Sequence, residues 1–143
     1  MVIAVDFDGT IVEHKYPSIG KEIPFAIKTL KLFQQKGHKL ILWSYRSGKD
    51  LEKAVEFCRE RDLTFHAVNN NFEGEEFDGT YSRKIYADLF IDDRNLLGLP
   101  NWEELYNSMF EKRNNKPDTK QLSIKRLVSR CTGFVLNNVP HPK

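Results

Sequence analysis

Four short apolar runs recur along the first hundred positions: Val2–Val5, His38–Trp43, Leu63–Val68 and Ala87–Ile91. Each is rich in branched or aromatic residues and is followed by polar ones. Runs this short, continuous rather than alternating, predict strands buried on both faces, and so a parallel sheet. The intervals carry helical patterns. Pro24 suits the first turn of a helix, and Phe25, Ile27, Leu30, Leu32 and Phe33 form a rough stripe that ends at Gly37. Ser47 can cap a second helix, with Leu51, Ala54, Val55 and Cys58 at helical spacing. Trp102, Leu105, Tyr106 and Met109 mark a third, after Pro100. The order predicts an α/β fold, a three-layer sandwich around a parallel, Rossmann-like sheet. Two segments stand outside it. Residues 11–20, IVEHKYPSIG, read as an exposed flap, and residues 69–83 as a polar loop long enough to be functional or mobile.

Charge divides the chain. Residues 111–143 hold eight Lys or Arg and two acids, which makes them +6, whereas residues 1–110 are −4. The expected organisation is a folded domain over 1–110 and a basic C-terminal tail over 111–143. Such a tail could favour a polyanion such as nucleic acid, but it contains no recognisable nucleic-acid motif, and charge runs are usually solvated faces. No apolar run approaches the roughly 18 residues of a membrane span, so no membrane partner is expected. Cys58 and Cys131 match no metal or disulfide spacing, and acidic residues begin at Asp6, unlike a signal peptide. A cytoplasmic location is the expectation.

In an open parallel sheet, ligands bind beyond the carboxyl ends of the strands. Here Asp6 and Asp8 follow the first strand. Ser44, Tyr45 and Arg46 follow the second, and Asp92, Asp93 and Arg94 the fourth. Lys84 precedes the fourth strand and can reach the same edge from the loop. Taken singly, each cluster has an ordinary explanation: a turn, a cap, a surface lysine. Together, four carboxylates in one crevice would repel each other unless a cation sits among them. Hard oxygen ligands favour Mg²⁺. A hydroxyl and a lysine beside such an ion make a phosphate site.

The motifs DFDGT (residues 6–10), Ser44 within ILWSYRSG, Lys84, and FIDDR (residues 90–94) stand in order over roughly residues 1–110. In them the chain resembles the haloacid dehalogenase (HAD) superfamily of phosphotransferases. The flap and the run LWSYRSGKDLEKAVEFC resemble a small group of capless hydrolases within it. The resemblance implies a HAD-like sheet and a Mg²⁺-dependent phosphatase, a phosphomonoester hydrolase working through an aspartyl-phosphate. It implies Asp6 as nucleophile and metal ligand, and Asp8 as acid and base, with its backbone carbonyl on the metal. Ser44, Lys84 and Thr10 would bind the phosphoryl group, Thr10 also hydrogen-bonding across the DFDGT turn. One of Asp92 and Asp93 would complete the metal site and the other orient water or Lys84.

Two residues stand apart from the four motifs. Arg46 is either a surface arginine or reaches a second anionic group on the substrate. His14, in the flap, is exposed or lines the site.

Only 35 residues separate Asp8 from Ser44, and a flap, a helix and a strand consume them. The expected site is therefore capless and open. It suits a phosphorylated macromolecule, such as a polynucleotide end or a phosphoprotein. Alternatively it takes a small phosphorylated substrate beneath a lid, formed by the 69–83 loop or a second subunit. Transfer to another acceptor would use the same residues. The non-enzymatic alternatives are a phospho-accepting switch, as in receiver domains, and a phosphate-binding module.

Overall fold

The computed structural model describes residues 1–110, which form one compact unit; the expectations for the basic tail lie outside the described residues. Four parallel strands, β1 (Val2–Val5), β2 (Lys39–Leu42), β3 (Ala67–Val68) and β4 (Leu89–Ile91), lie in the order β3-β2-β1-β4. Three helices accompany them: α1 (Ala26–Gln35), α2 (Gly48–Arg59) and α3 (Trp102–Phe110). The α/β class and the parallel sheet follow the sequence pattern. β1 is central, which is why Ile3, Ala4 and Val5 are at most 1 % exposed although their side chains alternate between faces.

Strand register fixes the site. Val5 lies opposite Leu42 on one side and Ile91 on the other. The Asp6 N–H donates to the Ile91 carbonyl at 2.9 Å, and the Trp43 N–H to the Val5 carbonyl at 2.9 Å. The polar residues that follow β1, β2 and β4 therefore leave the sheet at one level. β3 is shorter than the apolar run that predicts it. It pairs on one side only, and Leu63, though buried, packs into the helical core instead of extending the ladder. α1 ends as its sequence predicts. Gly37 takes φ +81°, and the N–H of His38 reaches back to the carbonyl of Phe33 at 3.1 Å.

The three expected layers are not all helical among the described residues. Ile3, Val5, Leu40 and Leu42 face a core shared with Ala26, Ile27, Leu30 and Phe33 of α1, Ala54 and Cys58 of α2, and Trp102 of α3. All three helices thus serve one face. The other face presents Ala4, Ile41 and Ala67, covered by Ile85 with Ala87 beside it. The β3–β4 crossover passes over that face as a loop, and Val2, Trp43 and Phe90 pack there too. No helix among the described residues is long and apolar enough to cross a membrane.

Candidate functional site

The DFDGT segment turns sharply out of β1. The N–H groups of Ile11 and Val12 both point to the Phe7 carbonyl, at 2.9 and 3.1 Å, and Gly9 donates to the Val12 carbonyl at 2.7 Å. Gly9 holds φ +87°, and a Cβ there would fall 2.3 Å from Asp93 Oδ2. Only glycine allows both the turn and the close approach of the Asp93 carboxylate. The flap then closes on itself. Val12 bridges Glu22, the Glu13 N–H donates to the Lys21 carbonyl at 2.8 Å, and that of Ile23 to Ile11 at 2.9 Å. Residues 13–18 at its tip are exposed, as the sequence predicts.

Beyond the sheet edge lies a cavity of about 530 Å³, within the range of small-molecule sites. Asp6, Asp8, His14, Ser44, Arg46 and Asp92 line it, together with Tyr16, Trp43, Tyr45 and Arg94. The clusters after β1, β2 and β4 thus meet, and His14 is both exposed and part of the wall.

Asp6, Asp92 and Asp93 each offer a carboxylate oxygen, all within 4.8 Å of one another, a spacing that can hold a metal ion. Asp93 Oδ1 is buried and has no hydrogen-bond partner. Buried oxygens are seldom left so, and a cation would satisfy this one. Burial pushes the Asp6 carboxyl up to about 6, opposed by a backbone hydrogen bond at Phe7 and assisted by the charges of Asp92, Asp93 and Asp8. The pH dependence has a definite sign. Asp6 is neutral in both states below about pH 4, stability is lost as pH rises from there to about 6, where the unfolded chain ionises first, and the full penalty holds above that. The penalty at neutral pH is on the order of 2 kcal/mol. Asp6→Asn is therefore expected to melt several degrees above the unsubstituted protein at pH 7.5 in chelator. The gap should close as pH falls to 4. Equal melting temperatures at both pH values would contradict a buried, mutually repelling cluster.

Asp8 stands apart from that cluster. Its carboxylate receives the Arg46 fork, Nε on Oδ2 at 2.6 Å and Nη2 on Oδ1 at 2.7 Å. The Arg46 side chain is fully buried. Its other N–H groups donate to the carbonyls of Pro17 at 2.9 Å and Ser18 at 2.8 Å, and its plane lies near the rings of Phe7 and Tyr16. Arg46 is thus neither a surface arginine nor free to reach a substrate. Its hydrogen bonds are spent on Asp8 and the flap.

Two further expectations are corrected. Thr10 is fully buried, so it does not touch a phosphate. Its hydroxyl accepts the Asp93 N–H at 3.1 Å and lies 3.5 Å from Asp6 Oδ2, and its carbonyl accepts the Trp102 indole N–H at 2.8 Å. Thr10 ties the β1 turn to the β4 turn and to α3. Lys84 is exposed and does not line the cavity. Its neighbour Ile85 is buried against the second face of the sheet, which turns Lys84 and Tyr86 outward.

Ser44 is where it was expected, and the residue that places it was not foreseen. Asn69, just after β3, adopts φ +53°. Its Oδ1 accepts the Ser44 N–H at 2.7 Å, and its Nδ2 donates to the Ser44 carbonyl at 2.9 Å and the Arg46 carbonyl at 3.4 Å. Asparagine tolerates the left-handed conformation and mimics a backbone partner, so an Asn at a strand end was the available signal. The Ser44 hydroxyl accepts the Arg46 N–H at 3.2 Å, which leaves its own proton to donate.

Fold and site together define a parallel α/β domain with an acidic, aromatic-walled cavity at its carboxyl edge. Among solved structures, that of a conserved protein from Bacteroides thetaiotaomicron is similar to this chain: 57% identical, covering 80% of this chain and 93% of that one, with a TM-score of 0.70. The chain belongs to the same family as that protein. No family model matches the chain, and no curated protein matches it.

Proposed function

We propose that this protein is a Mg²⁺-dependent phosphomonoester hydrolase of the HAD type, with Asp6 as its nucleophile. The observation that carries the reading is the meeting of Asp6, Asp8, Ser44 and Asp92 on one cavity, with the unpartnered Asp93 oxygen beside Asp6.

Asp6, Asp92 and Asp93 would hold the ion, and bound there Mg²⁺ supplies positive charge that lets an anionic carboxylate approach an anionic phosphate. Asp6 then forms its bond to phosphorus as the ester oxygen leaves. The Ser44 hydroxyl donates to a nonbridging phosphoryl oxygen, and Asn69 keeps that hydroxyl in place. Asp8, whose two oxygens receive the Arg46 fork, acts as a carboxylate when it takes a proton from the water attacking the phosphorylated Asp6. Delivering a proton to the leaving oxygen needs the other form, so one arm of the Arg46 fork must yield to it.

The chain between Asp8 and Ser44 is taken up by the flap, α1 and β2, and that between Ser44 and β4 by α2, β3 and a loop. This supports a capless reading. A phospho-accepting switch of the receiver type would want a carboxylate after β3. There the chain has Asn69, and its amide is already committed.

The test is phosphate release from a panel of phosphate monoesters. Release that requires Mg²⁺ and stops in EDTA is expected. A folded protein that releases phosphate from no member at millimolar Mg²⁺ would overturn the assignment.

A further inference from the structure

Arg46, Lys84 and Arg94 stand at this edge in the sequence, and the structure removes the first two as anion-binding groups. Arg46 is buried and fully engaged. Lys84 is exposed and off the cavity. Arg94 remains. It lines the cavity two residues after Asp92, and its backbone N–H is fixed by the Asp92 carboxylate at 2.7 Å. Its side chain is exposed and has no hydrogen bond or ion pair among the described residues.

The strand order shows what lies across from it. Arg94 follows β4, Tyr45 follows β2, and β1 with Asp6 runs between them. Adjacent strands are about 4.8 Å apart, so a ligand centred on Asp6 meets the β4 exit one strand spacing away. Tyr45 is 94 % exposed, a large ring on the cavity wall with no packing role.

We propose that Arg94 forms a distal anion subsite, so that the preferred substrates are small phosphate monoesters carrying a second anionic group, a carboxylate or another phosphate, a few bonds from the first. Tyr45 offers its face to the organic body between the two. An arginine fork suits either oxyanion, and a charge-assisted contact of this kind is strong enough to dominate selection among small esters. The proposal rests on the phosphatase reading and names its substrate class.

The experiment compares glycerol 3-phosphate with 3-phosphoglycerate, which differ by a carboxylate in place of an alcohol. Each is used as a competitor of p-nitrophenyl phosphate hydrolysis, with the unsubstituted protein, Arg94→Ala and Arg94→Lys. The carboxylate is expected to tighten inhibition about tenfold in the unsubstituted protein. Arg94→Ala should erase that difference, and Arg94→Lys should restore part of it. Equal inhibition by the two compounds, or a loss in Arg94→Ala that is the same for both, would overturn the subsite. Failure to hydrolyse p-nitrophenyl phosphate at all would count against the hydrolase reading instead. Calorimetric binding of the same two compounds then decides the subsite: an Arg94-dependent preference upholds it, and equal or undetectable binding overturns it.

Discussion

Asp6→Asn is expected to lose at least three orders of magnitude in Mg²⁺-dependent turnover of any phosphate ester the protein accepts. An amide cannot supply the attacking oxygen, and the neighbouring carboxylates have their own tasks. The same replacement should raise thermal stability in chelator, because it removes an anion that burial and three nearby carboxylates disfavour. The pairing of these results is what makes the experiment sharp. A variant that is dead because it is misfolded cannot also be the more stable protein. Steady-state rates near those of the unsubstituted chain would rule out Asp6 as nucleophile.

The second large effect is on stability. Arg46→Ala leaves the Asp8 carboxylate, 11 % exposed, without its partner, and frees the carbonyls of Pro17 and Ser18. Removing one member of a buried pair costs about 3–5 kcal/mol. Asp8 retains some access to water, so the lower end of that range applies. The Tm of a domain this size should then fall by about 12–20 °C. Urea unfolding of the variant beside the unsubstituted protein measures it. A loss under about 1 kcal/mol would mean that water screens the pair as it does on an open surface.

The parallel class and the carboxyl-edge site were legible in the sequence because both depend on local order. A short buried run announces a strand, and whatever follows it sits at the edge. Asp6, Asp8, Ser44 and Asp92 were found that way. The errors all concern direction and partnership, which sequence spacing does not encode. Arg46 is 38 residues from Asp8, and nothing near it in the chain says that its fork is taken. Lys84 depends on which way Ile85 faces, and that depends on the far side of the sheet. Thr10 was expected at the phosphate, yet it is buried, its hydroxyl taken by the N–H of Asp93, 83 residues on, and its carbonyl by the indole of Trp102. Among the described residues the second face of the sheet carries a loop and no helix. The loop between β3 and β4 shows no helical period, and the seating of Ile85 on that face beside Trp43 and Phe90 is not encoded in local spacing.

The flap is held in an unusual way. Arg46 grips it by hydrogen bonds to two main-chain carbonyls, at Pro17 and Ser18, with the Tyr16 ring beside its plane. Every amino acid has a carbonyl, so the grip is indifferent to what is written at Ser18. The path of the flap is fixed while its exposed surface is open to drift. Relatives of this protein could therefore acquire new tastes by rewriting the tip of the flap without loosening Asp8. A graft of flap residues from one relative to another should carry selectivity with it, provided the transplanted segment keeps its length.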